Sequence, residues 1–375
     1  MLYPNAPAGR QGIWNLELKT SGRADPRGIY PLSHLPGLRR DRYRRAKIYT
    51  TRDEGGQKMN VVRAAVIQNS PAVFDQKATI EKVHSLVNQA AREGAQLVVV
   101  PEAFVSAYPI GLDFGARIGS RTPEGREDFR RYYESAVAVP GAACDSIGKA
   151  AQNARVFLVI GVIERDGGTL YCTVLFFSPD GALMGKHRKL MPTAMERLVW
   201  GFGDGSTLPV FDTPLGKIGS VICWENYMPM LRMHMYAQRI QLYCAPTADS
   251  RDTWLPSMRH IAMEGRCFVL SCCQYLTRAD CPKDYAAFQG NDPATILMRG
   301  GSCIIGPLGQ VLAGPNFEGP CILIADLDMN EIPKSKYDFD VVGHYSRPDI
   351  FRLYVNTRPT LPVVLSSEND DEHQT

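Results

Sequence analysis

Apolar residues in this chain come in short, unbroken blocks, and what separates the blocks limits the folds it can reach. The run 62–68 reads as a buried strand, and 77–93 follows with Ile80, Val83, Val87, Ala90 and Ala91 on one helical stripe. Gly94 supplies the C-terminal stop of that helix. The stretch 97–100 is again wholly apolar and is read as a strand ended by Pro101. The body therefore opens β-α-β. Helical patterns around 124–136 and 143–153 lead to a strand at 156–164, which the turn Asp166-Gly167-Gly168 joins to a second at 170–178. Pro179-Asp180-Gly181 then starts a third at 182–186. Strands at 218–222, 241–245 and 268–274 alternate with helices around 230–238 and 254–266, before a hairpin at Pro307-Leu308-Gly309 and a strand at 322–326. Hairpins mixed with βα units predict an α/β protein with mixed, layered sheets and helices outside. No repeat of fixed period is visible.

The longest strong apolar block, Val156–Ile163, is far shorter than the ~18 residues of a membrane span, so no membrane partner is expected. Charge is unevenly placed. Of 42 Lys/Arg and 39 Asp/Glu, residues 1–58 hold 12 and 5, a net of +7; the rest hold 30 and 34, a net of −4. The basic excess thus belongs to a leader, and an acidic body offers no nucleic-acid surface. Within the leader, Arg39, Arg40, Arg42, Arg44, Arg45 and Lys47 crowd around Asp41. Residues 1–58 are read as a disordered or non-native extension ahead of Met59, against the alternative of a targeting presequence or nucleic-acid arm. Residues 59–355 form one folded domain in this reading, and 356–375 a tail, polar from Ser366 onward. Ten cysteines sit mostly inside apolar runs without any CxxC spacing. That pattern fits reduced core thiols in the cytoplasm and gives a zinc site little support.

Three reactive residues stand where apolar strands end. Glu102 follows Val98-Val99-Val100-Pro101 directly. A poorly hydrated carboxylate there would have a raised pKa and could serve as a base; the plain alternative is a strand-end acid facing water. Lys189 closes the run Lys186-His187-Arg188-Lys189, which read alone is a solvated edge. The ordered-looking Met191-Pro192-Thr193 and Trp200-Gly201-Phe202-Gly203 that follow argue for a loop around a site instead. Cys223 follows Ser220-Val221-Ile222 and precedes Trp224-Glu225-Asn226. On a strand-to-helix turn its pKa would fall below about 8.5, whereas most cysteines are inert core thiols. His187 belongs to the basic run, and His234 and His260 lie in apolar helices as core histidines, so no His–Cys pairing offers itself. A thiol nucleophile with a carboxylate base and a cation for the developing charge would be a working set.

Glu102 in Pro-Glu-Ala-Phe, Lys189 in His-Arg-Lys-Leu-Met-Pro-Thr and Cys223 in Cys-Trp-Glu-Asn resemble the Glu–Lys–Cys triad of the nitrilase superfamily, the carbon-nitrogen hydrolases. The resemblance runs from about Val61 to Tyr354. Trp224-Glu225, the segment 245–251 and Met263-Glu264-Gly265 are similar to the true nitrilase branch. The resemblance implies a four-layer α-β-β-α sandwich and hydrolysis of an organic nitrile to the carboxylic acid and ammonia through a covalent cysteine thioimidate and thioester. It gives Glu102 the role of base, and Lys189 and the Trp224 backbone N–H that of stabilising negative charge. Glu196 would support the lysine, and Tyr108, Trp200 and Thr247 would line the substrate pocket. No Gly-rich phosphate loop followed by Lys-Ser/Thr is present, so no cofactor is expected, and no metal; the resemblance implies self-association into dimers that extend into helical homo-oligomers. Two alternatives stay open: an amidase or nitrile-hydrating relative with the same triad, and a non-catalytic, filament-forming scaffold.

Overall fold

The computed structural model describes residues 60–363; the leader 1–58 and the polar stretch from Ser366 lie outside the described residues. Strand β1 (Val61–Gln68) leads into helix α1 (Gln76–Arg92). Asp75 caps that helix by accepting the Ala78 N–H at 2.9 Å, and Gly94, at φ +86°, lets the chain turn off its end. Strand β2 (Leu97–Val105) does not stop at Pro101, as the sequence suggested, but runs through it. Its pairing register with the strand Phe157–Asp166 slips between Val100 and Val105, and that irregularity tolerates a residue without an N–H. Helices α2 (Pro123–Ser135) and α3 (Ala142–Ala154) precede β3 (Phe157–Asp166), β4 (Thr169–Phe177) and β5 (Leu183–Arg188).

The second half repeats this plan with β6 (Val210–Thr213), β7 (Gly216–Ser220), α4 (Pro229–Ala237), β8 (Leu242–Thr247), α5 (Trp254–Gly265) and β9 (Phe268–Cys273). Strands β10 (Ser302–Ile305), β11 (Val311–Asn316) and β12 (Cys321–Asp328) complete it. One sheet has the order β12-β1-β2-β3-β4-β5, with the two-residue strand Val137–Ala138 also on β3; the other has β11-β10-β9-β8-β7-β6. In each, central parallel pairs are flanked by antiparallel ones.

Alternation along the strands sets the layers. Val66, Val99, Val159 and Val174 face Ile218, Leu242, Cys244 and Leu270 between the sheets. Their neighbours Ala65, Ile67, Val98 and Leu158 turn outward against Val83, Val87, Ile147 and Ala151 of α1 and α3. On the far side Tyr243, Ala245 and Val269 meet Met235, Met258 and Ile261 of α4 and α5. Four layers result, α-β-β-α. Because both faces of the central strands are covered, they read as continuous apolar runs.

Candidate active site

The basic run at the end of β5 is no solvated edge. Strand alternation splits it: Lys186 and Arg188 turn to one face, where both bond the buried Glu164. His187 and Lys189 turn to the other and are themselves buried. Lys189 Nζ donates to Glu102 Oε1 at 2.7 Å and to Glu196 Oε2 at 2.8 Å, and lies 5.5 Å from the centre of the Trp200 ring. Burial alone would lower the lysine pKa, but Glu102 and the other groups around it outweigh that and hold it well above its usual value. It is a fixed ammonium.

Glu102 is wholly buried. Desolvation raises its pKa above the ordinary carboxylate value, Lys189 opposes the rise, and Glu196 adds to it. Its backbone is held tightly: Ala103 sits at φ +50°, and Ser106 and Ala107 also have positive φ. Such left-handed stretches persist only where surrounding structure over-determines them. Gly161 on β3 makes room for this segment, since a Cβ there would lie 2.3 Å from the Pro101 carbonyl and 2.6 Å from Glu102 Cα. Glu102 Oε1 accepts from Lys189 and also from Cys172 Sγ at 3.4 Å, while Oε2 is buried without a hydrogen-bond partner. Gln274 Nε2 donates to the Glu102 carbonyl at 2.8 Å.

Strand β7 ends at Ser220, so Cys223 is not at the strand end proper. It heads a short 3-10 turn, Cys223–Tyr227, at φ +49°. Thr247, at the end of β8, donates its hydroxyl to Cys223 Sγ at 3.3 Å. Burial pushes the thiol pKa up, Glu102 pushes it further, and Lys189 only partly offsets them. This corrects the sequence expectation of a lowered pKa. A five-residue turn supplies too little positive potential to outweigh the desolvation of a buried thiol. Lys189 and Glu102 are in direct contact, and both bear on the charge of the Cys223 sulfur.

Glu196 ties the site to its pocket. On the 3-10 turn Ala194–Leu198 it accepts the Thr193 N–H at 2.6 Å, Lys189 through the same oxygen, and the Tyr108 hydroxyl through Oε1 at 2.7 Å. Tyr108 meets Trp200 edge-on, ring centres 5.8 Å apart. With Phe114, Met195 and Phe288 they wall a cavity of about 330 Å³. The Trp224 side chain is not among those lining this cavity; its Nε1 donates to Asp249 at 2.8 Å, and the Arg251 guanidinium lies over its ring. Its backbone N–H belongs to the first turn of the 3-10 segment, where amides lack intrahelical acceptors.

Sequence reasoning missed Cys172 and Gln274, which no spacing signals. It also placed His187 and Glu225 in motifs without a role; Nε2 of His187 lies 2.8 Å from Glu225 Oε2, both buried. Of the two histidines read as core, His234 is half-buried beside Gln238 and His260 is exposed, 3.7 Å from Glu264. Among the described residues, no three His, Cys, Asp or Glu side chains gather as a metal site would require.

The sequence pattern of the carbon-nitrogen hydrolase family matches residues 63–337. The chain is 59% identical over 300 residues to a nitrilase of Bradyrhizobium diazoefficiens, covering 80% of this chain and 94% of that one. It is 58% identical over 306 residues to an aliphatic nitrilase of Sinorhizobium fredii (82% and 99%). It is 55% identical over 312 residues to a bifunctional nitrilase/nitrile hydratase of Lupinus angustifolius (82% and 89%). Among solved structures, a carbon-nitrogen hydrolase of Helicobacter pylori superposes with a TM-score of 0.62 at 22% identity, covering 78% of this chain and 97% of that one. A Saccharomyces cerevisiae member of the nitrilase superfamily does so with 0.59 at 23% identity (76% and 96%). Both share the fold described above.

Proposed function

The chain belongs to the carbon-nitrogen hydrolase family, and from that premise we propose that it is a nitrilase, converting an organic nitrile and two waters to a carboxylic acid and ammonia. The observation that carries the mechanism is the buried Lys189–Glu102 pair at 2.7 Å with the second Glu102 oxygen unpartnered. The Cys223 thiol is protonated at rest, so proton transfer accompanies attack: the S–H proton passes to Glu102 Oε2 as sulfur bonds to the nitrile carbon. The nitrile nitrogen, held by Lys189 and the Trp224 N–H, takes that proton back from Glu102, which leaves a thioimidate and restores the carboxylate. Glu102 then draws a proton from water as the water adds to the carbon. The C–N bond breaks, ammonia departs, and a thioester remains. A second water, activated in the same way, breaks the C–S bond and releases the acid. Glu196 fixes Lys189 and orients Tyr108, and the aromatic cavity accepts the apolar body of the substrate.

Ammonia release from a panel of aliphatic, arylaliphatic and amino-acid-derived nitriles, with products identified by mass, tests the assignment. Acid and ammonia in equal amounts are expected; stoichiometric amide without ammonia would replace it with a nitrile-hydrating enzyme. No helix among the described residues is long and apolar enough to cross a membrane. The ten free cysteines, nine of them buried, support a reducing compartment, and we assign the cytoplasm. Residues 59–355 contain every residue given a role and form the catalytic domain in this reading. Exposed apolar side chains between Tyr337 and Val363 support self-association into dimers and helical homo-oligomers.

A further inference from the structure

The two reacting side chains Lys189 and Cys223 come from different sheets, and one carboxylate holds the backbone beside both. Glu225 Oε1 accepts the Leu190 N–H at 2.6 Å, one residue after the lysine. Glu225 Oε2 accepts the Ile222 N–H at 2.8 Å, one residue before the cysteine. The same Oε2 meets His187 Nε2 at 2.8 Å, two residues before the lysine, and His187 Nδ1 lies 2.6 Å from the Thr207 carbonyl. A carbonyl oxygen can only accept, so Nδ1 carries a proton. Glu225 already accepts two backbone N–H groups, one on each oxygen, and a donor at Nε2 gives it a third. This arrangement suits an imidazolium facing a carboxylate, both without solvent exposure.

The nucleophile turn needs such a tie. Cys223 is in the left-handed region, and Asn226 Nδ2 adds bonds to the carbonyls of Val221 and Cys223 at 3.1 and 2.7 Å. Those bonds shape the turn internally, but they do not reach β5. Glu225 does. We propose that His187 and Glu225 form an ionised clamp that sets the position of the Cys223 sulfur relative to the Lys189 ammonium. They are positioning residues, since neither touches the reacting atoms. This rests on the reading of Cys223 and Lys189 as the reacting groups.

Three measurements on the full chain test it. In the wild type, nitrogen NMR of His187 should show a doubly protonated ring at neutral pH; a neutral ring would overturn the clamp without any variant being made. In variants, His187→Gln places an amide N–H where Nε2 stood and keeps the bond to Glu225, whereas His187→Asn places it where Nδ1 stood and loses that bond. His187→Asn should lower kcat on the order of 10²-fold, as small misplacements do, with KM changed far less, and His187→Gln should recover part of the loss. Alkylation of Cys223 by iodoacetamide, which needs no nitrile, should differ between the variants in the same order. Equal, wild-type kcat in both folded variants would overturn the proposal. So would a loss of activity matched entirely by loss of folded protein. If no nitrile is hydrolysed by the wild type, the functional reading fails while the NMR and alkylation results still decide the clamp.

Discussion

Glu102 commits one oxygen and keeps the other free. Oε1 accepts from Lys189 and Cys172, while Oε2 has no partner in a wholly buried side chain. An unpaired carboxylate oxygen on a buried side chain is costly to maintain, and it is where a proton will bind most readily. Glu102→Gln keeps the shape and removes that basicity, so turnover should fall by ~10²–10⁴, read as ammonia release from protein whose circular dichroism is unchanged. Activity within a few-fold of wild type would remove Glu102 from the proton path. The thiol makes a separate prediction. Because burial and Glu102 raise its pKa, Cys223 holds no standing thiolate at neutral pH. Its alkylation rate should keep rising through pH 8.5, the value for an ordinary cysteine, with no plateau below it. A plateau near neutrality would mean that a preformed thiolate exists. The sequence made Glu102, Lys189 and Cys223 visible as reactive residues at the ends of apolar runs. The direction of the thiol shift was not visible, since it depends on how completely three distant segments close over the sulfur.

At the scale of elements, β5 shows what a linear reading misses. Four consecutive basic residues suggest water on all sides, yet alternation sends Lys186 and Arg188 to Glu164 and buries His187 and Lys189. The acids that partner them lie on other strands and turns, so no local pattern announces them. Element order was legible because each block is bounded by Gly, Pro or Asp turns. Which sheet each strand joins was not, because strands apolar on both faces carry no inward or outward signal. Strand β3 constrains the site closely through Gly161. Gly161→Ala would drive a methyl into the Pro101–Glu102 backbone, and displacement of the base by even 1 Å should lower kcat on the order of 10²-fold. Unchanged kinetics in Gly161→Ala would show that the Glu102 segment can shift freely. The His187–Glu225 pair has a pH signature. Burial alone would lower the histidine pKa, but Glu225 raises it above 6.5; its stabilisation is therefore full below 6.5 and lost as pH rises through the folded value. Burial alone would raise Glu225, but His187 and the backbone donors lower it below 4.5; its contribution is full above 4.5 and lost as pH falls through the folded value. Both are present between pH 4.5 and 6.5. Breaking one partner of a buried pair costs about 3–5 kcal/mol. Urea unfolding should show the gap between wild type and His187→Asn widest in that window and closing in alkali; a gap that widens in alkali would contradict an ionised pair.

Over the whole molecule, each sheet runs through the same sequence of pairings: antiparallel, parallel, parallel, antiparallel, antiparallel. The two halves share a plan without sharing residues, which is why no repeat is visible in the sequence. A fold needs only the spacing of apolar blocks to repeat, and side chains at equivalent places serve different tasks. Glu102 and Lys189 come from the first sheet, Cys223 and Thr247 from the second, so the site depends on the two halves being packed together. The same packing leaves the chain from Tyr337 to Val363 without a layer of its own. Tyr337 is 90% exposed, Phe351 79% and Tyr354 83%, although Thr360 N–H anchors the segment to Asp204 at 2.7 Å. A fixed segment that presents large aromatic side chains to water gains by covering them, and a second copy of the chain carries the same segment to offer in return. The wild-type chain should therefore give a mass of two copies or more by light scattering at micromolar concentration. Phe351→Asp with Tyr354→Asp should reduce that mass toward one copy, because each new carboxylate would have to be desolvated in the contact, while circular dichroism stays unchanged. A wild-type chain that is already monomeric, or a double variant that assembles as before, would place the contact elsewhere or remove it.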